Sequence, residues 1–321
     1  MSERVLVTGG AGFIGSHVCE RLCRDGRDVV VLDDLSTGDR DNLGALPVTF
    51  VHGSITDASA VARAMAGVRK VVHLAALPSV ARSVERPLDS HHACATGTLM
   101  VLDEARRQQA RVVYAGSSSA YGNQQELQKH EGLREDPLSP YAAAKLAGEL
   151  YCRSFARVYG LDVVVTRFFN VFGPRQPASS PYSGVIAAFC RALLDGRAVR
   201  IDGDGLQARD FTYVEDVVAG IVQCLDADSR GCETVNLAYG QSTTVQDVYG
   251  ILRRLLQEQP GAPAIPAAIH APPRPGDVRH SLADVSRAAS RFGFAPRVGL
   301  AEGLVRTFAW YRQQSGRSSP S

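Results

Sequence analysis

The chain has 321 residues, 45% of them hydrophobic and 21% charged, and a net charge of +2, a composition suited to a soluble globular protein with core enough for one large domain or two linked ones. So small a net charge gives no electrostatic case for nucleic acid or a membrane surface, and no apolar run nears the ~18 residues that suggest a membrane span. Seven cysteines at scattered spacings, with no CxxC or HExxH, argue against a metal site and read as reduced, cytoplasmic thiols.

Arg4–Thr8 is a β-branched run that enters without any secretory signal. The glycine-rich stretch Gly9–Gly15 follows, then an amphipathic helix to about Asp25, on which Cys19 and Cys23 share a packed face. Further buried strands are expected at Val29–Asp33, Val48–His52, Val71–Ala75, Val112–Ala115 and Val163–Arg167, with helices at Asp57–Met65, Ala93–Gln108 and Pro140–Val158. This alternation predicts an α/β protein built on a doubly wound parallel sheet of the Rossmann kind. After Asn170 the pattern changes. Gly173–Tyr182 is a proline- and serine-rich loop, and Phe211–Leu225 reads as a strand end followed by a helix. Thr234–Leu237 is another buried strand, Val245–Gln257 a helix, Pro260–Pro275 extended chain and Leu300–Gln313 a last helix. Residues 1–170, rejoined by 211–238, form the expected nucleotide domain. Residues 171–210 and 239–314 form a smaller α/β substrate lobe, and 315–321 a disordered tail. Cys232, in a polar stretch, is expected as an exposed thiol.

Three motifs carry chemistry. Gly10-Ala11-Gly12-Phe13-Ile14-Gly15 follows a strand and opens a helix, and Gly9 adds a second register. Glycines there permit a tight turn and bring the backbone close to a pyrophosphate at the helix N-terminus. Asp33 ends the second strand eighteen residues after Gly15, which suits a carboxylate on the adenosine ribose. Asp33-Asp34 has no adjacent Arg or Lys for a 2′-phosphate, so NAD is favoured over NADP. The plainer alternative is a structural glycine turn.

Ser139-Pro140 reads as the cap and first turn of a helix, and Tyr141 and Lys145 stand four apart on one face of it. An ammonium nearby lowers a tyrosine pKa, so the two could form a proton-transfer unit. The plainer alternative pairs Lys145 with Glu149 on a solvated face. The fifth strand runs into Gly116-Ser117-Ser118-Ser119-Ala120-Tyr121-Gly122, at the carboxyl edge where ligands bind in such sheets. A serine there can donate to a substrate oxygen and accept from Tyr141, or simply close the strand.

Taken together, TGGAGFIG at Thr8–Gly15, HLAA at His73–Ala76, SSSAYG at Ser117–Gly122, YxxxK at Tyr141–Lys145 and RFFNVFGPRQ at Arg167–Gln176 resemble an extended short-chain dehydrogenase/reductase. The chain is most similar to the nucleotide-sugar 4-epimerases, especially those acting on UDP-N-acetylhexosamines. The resemblance implies that Tyr141 is the catalytic base, that Lys145 holds the nicotinamide ribose and lowers the tyrosine pKa, and that Ser117 bridges the sugar 4-oxygen. It implies NAD held by Gly9, Gly12, Phe13, Ile14, Gly15, Asp33, Ser54, Ile55 and Ala75. It implies a UDP-sugar met by Ser118, Asn170, Arg209, Arg274 and Asp277, with Ser79, Arg82 and Ser83 in a loop that closes over the sugar. Ser281, where a bulky residue would exclude an N-acetyl group, is small. Related dehydratases and decarboxylases carry acids near the serine run, and this chain has none there. Two departures stand out: Cys94 occupies a place usually held by Asn, and Ser54 one usually held by Asp. A homodimer through paired helices is implied as well. The expected activity is C4 epimerisation of UDP-N-acetylglucosamine and UDP-N-acetylgalactosamine, and the plain hexoses are not excluded. A 4-ketoreductase and a non-catalytic NAD sensor remain as alternatives.

Overall fold

The computed structural model describes residues 3–178, 184–262, 264–273 and 278–317. Its main sheet holds seven parallel strands: β1 (Arg4–Thr8), β2 (Asp28–Asp33), β3 (Val48–His52), β4 (Lys70–His73), β5 (Arg111–Ser117), β6 (Val163–Phe168) and β7 (Cys232–Leu237). The spatial order is β7-β6-β5-β4-β1-β2-β3, so the direction of winding reverses between β1 and β4. Side chains alternate between the two faces: Val5 and Val7 enter one core with Val29, Val72 and Val164, while Leu6 enters the other with Val30, Val71 and Val163. Both faces are covered, which is why these strands read as continuous apolar runs.

β7 joins the sheet beside β6, in a register running from Cys232 opposite Val163 to Leu237 opposite Phe168. The chain therefore leaves the main sheet after Phe168 and returns to it at Cys232. A separate four-stranded sheet forms in the order Ser242–Thr244, Ala208–Asp210, His280–Ala283, Gln128–Lys129, its last strand coming from the stretch between β5 and β6. Within the proline-rich segment expected to be extended, Ile269–Ala271 pairs in parallel with Arg200–Asp202.

Several boundaries differ from expectation. β4 stops at His73, and Leu74 and Ala75 already belong to the turn above it. The helix expected from Ala93 begins at Pro87 and passes through a π-turn, His92–Thr96, before its regular part at Gly97–Gln108. The last helix runs from Leu300 to Arg317, so the tail expected from Ser315 is helical for its first three residues. Cys232 is half-buried, and burial pushes its thiol up to about 11, so it is not the exposed thiol expected. No helix among the described residues is long and apolar enough to cross a membrane.

Candidate active site

The glycine turn lies above β1 and feeds the helix Phe13–Arg24. Gly9 has φ +71°, and a Cβ there would stand 2.8 Å from the Ala75 nitrogen. At Gly15 a Cβ would lie 2.0 Å from the Gly9 carbonyl oxygen, a backbone atom that cannot yield. Gly12 caps the helix without a side-chain hydrogen bond, so the N–H groups of Phe13 and Ile14 face outward with no side chain to cap them. Asp33, buried at the end of β2, accepts the Ala11 N–H at 2.9 Å and the Leu35 N–H at 2.8 Å. Burial pushes its carboxyl up and the two N–H groups pull it back. An uncapped helix N-terminus, a cradle that any Cβ would fill and a carboxylate at the next strand end together fit a dinucleotide. The pyrophosphate would sit over Gly12–Gly15, with Asp33 at the ribose. Ile55 is buried against Gly97, where a Cβ would meet its Cδ1 at 2.4 Å. The Ser54 hydroxyl turns onto Thr56, 2.9 Å away, and the main-chain N–H of Ala75 donates to Thr8 Oγ1 at 3.2 Å.

Ser139 Oγ accepts the Ala142 N–H at 3.2 Å and Pro140 occupies the first turn, so the helix Pro140–Tyr159 starts where the sequence indicates. Its first turn brings the Tyr141 phenol near Ser117 at the end of β5, close enough for the serine hydroxyl to pull the phenol pKa down. Lys145 is buried, its ammonium 4.5 Å from the centre of the Tyr114 ring. The expected alternative of a Lys145–Glu149 pair is not formed: Glu149 instead takes Arg167, Nη2 to Oε2 at 2.7 Å. No carboxylate of the described residues is ion-paired with Lys145.

The resemblance implies a tyrosine pKa lowered by Lys145. In the protein alone, burial pushes the Tyr141 phenol well above its ordinary value, Cys94 adds to this, and only Ser117 pulls the other way. Burial also lowers the Lys145 pKa. Two groups in one dry pocket both resist charge, and the lysine ammonium stands over the Tyr114 ring.

Behind this pair lies a polar chain that the sequence did not single out as part of the site. Ala75 N–H donates to Thr8 Oγ1, which stands 2.7 Å from His73 Nδ1. His73 Nε2 stands 3.0 Å from Thr98 Oγ1, and Thr98 donates to the Cys94 carbonyl at 2.7 Å. Thr98 spends its proton on Cys94, so it can only accept from His73, and His73 is the Nε2–H tautomer with Nδ1 receiving the Thr8 hydroxyl. Burial, with Lys145 nearby, lowers its pKa to about 3. The chain runs from the floor of the glycine turn to the π-turn, whose Cys94 packs against Ala144 and Tyr141. The HLAA motif was the only available signal for it.

On the substrate side the structure brings some expected residues together. Arg209 and Ser281 are register partners in the small sheet. Asn170, at φ +31°, holds the Asp210 carbonyl through Nδ2 at 3.4 Å. The neighbouring Asp210 is buried and accepts N–H groups from Tyr239, Gly240 and Ala283, tying the end of β7 to the small sheet. Arg82 and Ser83 stand on a short helix, Val80–Glu85, and not in a loop, while Ser79 ends the irregular stretch before it and caps it, accepting the Arg82 N–H at 3.0 Å, and the Ser83 hydroxyl donates to the Val80 carbonyl at 2.6 Å. Ser118 opens the 3-10 turn after Ser117. Arg274 and Asp277 lie outside the described residues. A cleft of about 970 Å³ opens elsewhere, against the amino end of β7. Its Arg153, Arg287 and Arg291 are paired to glutamates.

A family model described as NAD dependent epimerase/dehydratase matches residues 5–238. A UDP-glucose 4-epimerase of Mycolicibacterium smegmatis is 38% identical over 97% of this chain and 99% of its own length. The crystal structure of a Thermotoga maritima UDP-glucose 4-epimerase with UDP-glucose superposes with a TM-score of 0.91 at 35% identity, covering 97% of this chain and 99% of the other. A Methanobrevibacter ruminantium UDP-N-acetylglucosamine 4-epimerase, solved with UDP-N-acetylmuramic acid, has the same TM-score of 0.91 and 35% identity, covering 98% and 100%. A dTDP-glucose 4,6-dehydratase of Streptomyces niveus is 35% identical over 96% of this chain and 93% of its own length.

Proposed function

The chain belongs to the NAD dependent epimerase/dehydratase family, with NAD as cofactor, and from that premise we propose that it is a cytoplasmic UDP-sugar 4-epimerase that interconverts UDP-N-acetylglucosamine and UDP-N-acetylgalactosamine. The observation that carries the reading is the meeting of Tyr141, on the first turn of its helix, with Ser117 at the carboxyl edge of β5, beside a buried lysine that is ion-paired to no carboxylate of the described residues. NAD held over the glycine turn would supply a reversible hydride acceptor for C4. The chain's own residues do the rest. Tyr141 takes the 4-hydroxyl proton as a 4-keto sugar forms and gives it back to the opposite epimer. Ser117 donates to the oxygen on which charge develops. Lys145 supplies the positive charge that a phenolate requires, and the outward N–H groups of Phe13 and Ile14 hold the cofactor phosphates. Arg209, Arg274 and Asp277 would anchor the uridine diphosphate while the sugar turns.

The dehydratase relatives suggest elimination of water as a rival. Elimination needs an acid and a base beside the serine, and here Ser118, Ser119 and Ala120 supply neither. The N-acetyl preference rests on Ser281, a small residue beside Arg209 in the substrate lobe. Purified protein incubated with UDP-N-acetylglucosamine, UDP-glucose and dTDP-glucose, with no nicotinamide added, tests all three readings. The N-acetylated pair should equilibrate fastest. A 4-keto-6-deoxy product would overturn the epimerase assignment, and a plain-hexose preference would overturn the sugar assignment. A strict need for stoichiometric reduced cofactor would favour a 4-ketoreductase.

A further inference from the structure

Lys145 carries its ammonium into a buried site where no carboxylate of the described residues is ion-paired with it. Burial without a counter-charge favours the neutral amine, yet a lysine that steadies a phenolate must stay charged. The residue that meets it is Tyr114, fully enclosed on β5 three positions before Ser117. Tyr114 holds Lys145 at both ends. Its hydroxyl donates to the Lys145 main-chain carbonyl at 3.0 Å, and the Lys145 ammonium stands over its ring, 4.5 Å from the centre. An aromatic face is the negative side of the ring quadrupole and attracts a cation within ~6 Å, most strongly where water is excluded. The other groups around the ammonium bring no opposing charge. Glu149, on the same helix, is committed to Arg167. His73 of β4 is neutral, its ring centre 5.6 Å from that of Tyr114. Burial pushes up the Tyr141 phenol and the Cys152 thiol of the same helix, and Cys94 of the π-turn packs against Tyr141.

We propose that Tyr114 is a positioning residue whose ring face, in place of a carboxylate, keeps Lys145 charged beside Tyr141, while its hydroxyl fixes the lysine backbone. The choice of a neutral partner has a consequence for the reaction, which rests on the epimerase reading above. A carboxylate beside Lys145 would cancel the positive field that the phenolate requires. An aromatic face steadies the ammonium and leaves its full charge to act on Tyr141. No bond is made or broken at Tyr114, which acts only through Lys145.

The test compares the NAD-loaded wild type with Tyr114→Phe, which keeps the ring and loses the hydroxyl, and Tyr114→Leu, which loses both. The chain has three lysines, Lys70, Lys129 and Lys145, so ¹³C labelling at the lysine ε-carbon gives one signal for each, and Lys145→Met assigns the one in the site. In Tyr114→Leu that signal should titrate about one pH unit lower than in the wild type, and in Tyr114→Phe close to the wild type. Equal titrations in the wild type and Tyr114→Leu overturn the proposal. So does an equal shift in both variants, which would assign the effect to the hydroxyl. The second readout is the pH profile of kcat for epimerisation. Its alkaline limb, where Lys145 loses its proton, should move down by about one unit in Tyr114→Leu and stay in place in Tyr114→Phe. An active Tyr114→Leu whose limb stays in place overturns the proposal as well. A lowered lysine titration in a protein that converts no UDP-sugar supports the proposal and fails only the epimerase reading. Should Tyr114→Leu not fold, trifluorophenylalanine at position 114 takes its place in both comparisons, because fluorine draws charge from the ring face at nearly constant volume.

Discussion

His73 is neutral, fully enclosed and engaged at both ring nitrogens. Its pKa of about 3 lies far below the ordinary 6.5, so at mildly acidic pH the folded chain binds fewer protons here than the unfolded chain. The stability this represents is complete above pH 6.5 and is lost as the pH falls toward 3, at about 1.4 kcal/mol per pH unit. Between pH 6.5 and 5 the loss is about 2 kcal/mol. Asp210, pushed up to about 6 by burial, acts in the opposite sense. The measurement is therefore a difference: urea midpoints at pH 7 and pH 5 for wild type and for His73→Gln. The pH dependence should be weaker in the variant by about 2 kcal/mol, and equal slopes would show that His73 takes up its proton without opening the structure. At this scale Tyr141, Lys145 and Ser117 were legible because a four-residue spacing and a Ser-Pro cap are local signals. Their charge states were not. Burial sets them, with neighbours such as Cys94 that the fold brings in from other elements.

The helix Pro140–Tyr159 carries both members of the proton-transfer pair, so its seating on the sheet decides their placement. Tyr114 of β5 crosses under it and donates to the Lys145 carbonyl at 3.0 Å. Gly148 makes room for that crossing: a Cβ there would lie 2.3 Å from the Tyr114 hydroxyl. One turn beyond Lys145, Glu149 grips Arg167 of β6, which also pairs with Glu135 at 2.8 Å and lies 4.6 Å from the centre of the Tyr121 ring. Both partners of the Arg167–Glu149 pair are buried, and removing one partner of such a pair costs about 3–5 kcal/mol. Gly148→Ala tests the seating alone. Tyr114 is enclosed and cannot retreat, so the helix must lift, at about 1–3 kcal/mol. The variant should melt several degrees lower, and its kcat should fall more than its KM rises. Wild-type kcat would show that the helix position is not what holds Tyr141 at Ser117. The ends of this helix could be read from its cap and from Gly160. The π-turn at His92–Thr96 could not, because an i→i+5 bond barely alters an apolar pattern. The short helix at Val80–Glu85 was missed for a related reason: six residues are too few for a periodic signal.

Across the whole molecule, the site forms where chain that has left the main sheet is pinned back onto it. The Pro174 carbonyl receives His17 Nε2 at 3.0 Å, and Arg175, at φ +66°, pairs with Glu20 at 2.6 Å. The loop that begins the substrate lobe is thereby fastened to the helix that opens the nucleotide site. The strands of the main sheet were legible in outline because parallel strands buried on both faces are conspicuous, whereas their spatial order was not read from the sequence. The small sheet was not legible, since strands of two to four residues carry no period. A further surface feature bears on assembly. Ala147, Leu150, Tyr151, Ser154 and Val158 fall within about 100° of one another around the helix Pro140–Tyr159, and Leu150, Tyr151 and Val158 are 53%, 38% and 68% exposed. The opposite face of this helix is already packed on β5 and β6, so an apolar stripe on the outward face calls for another covering surface. A second copy of the chain, laying the same stripe against this one in a twofold arrangement, would satisfy both at once. Sedimentation of the wild type should give twice the chain mass, and Leu150→Glu with Val158→Glu should give the single mass with an intact melting transition. A wild type that sediments as a monomer at micromolar concentration would show that the stripe is covered by something other than its own twin.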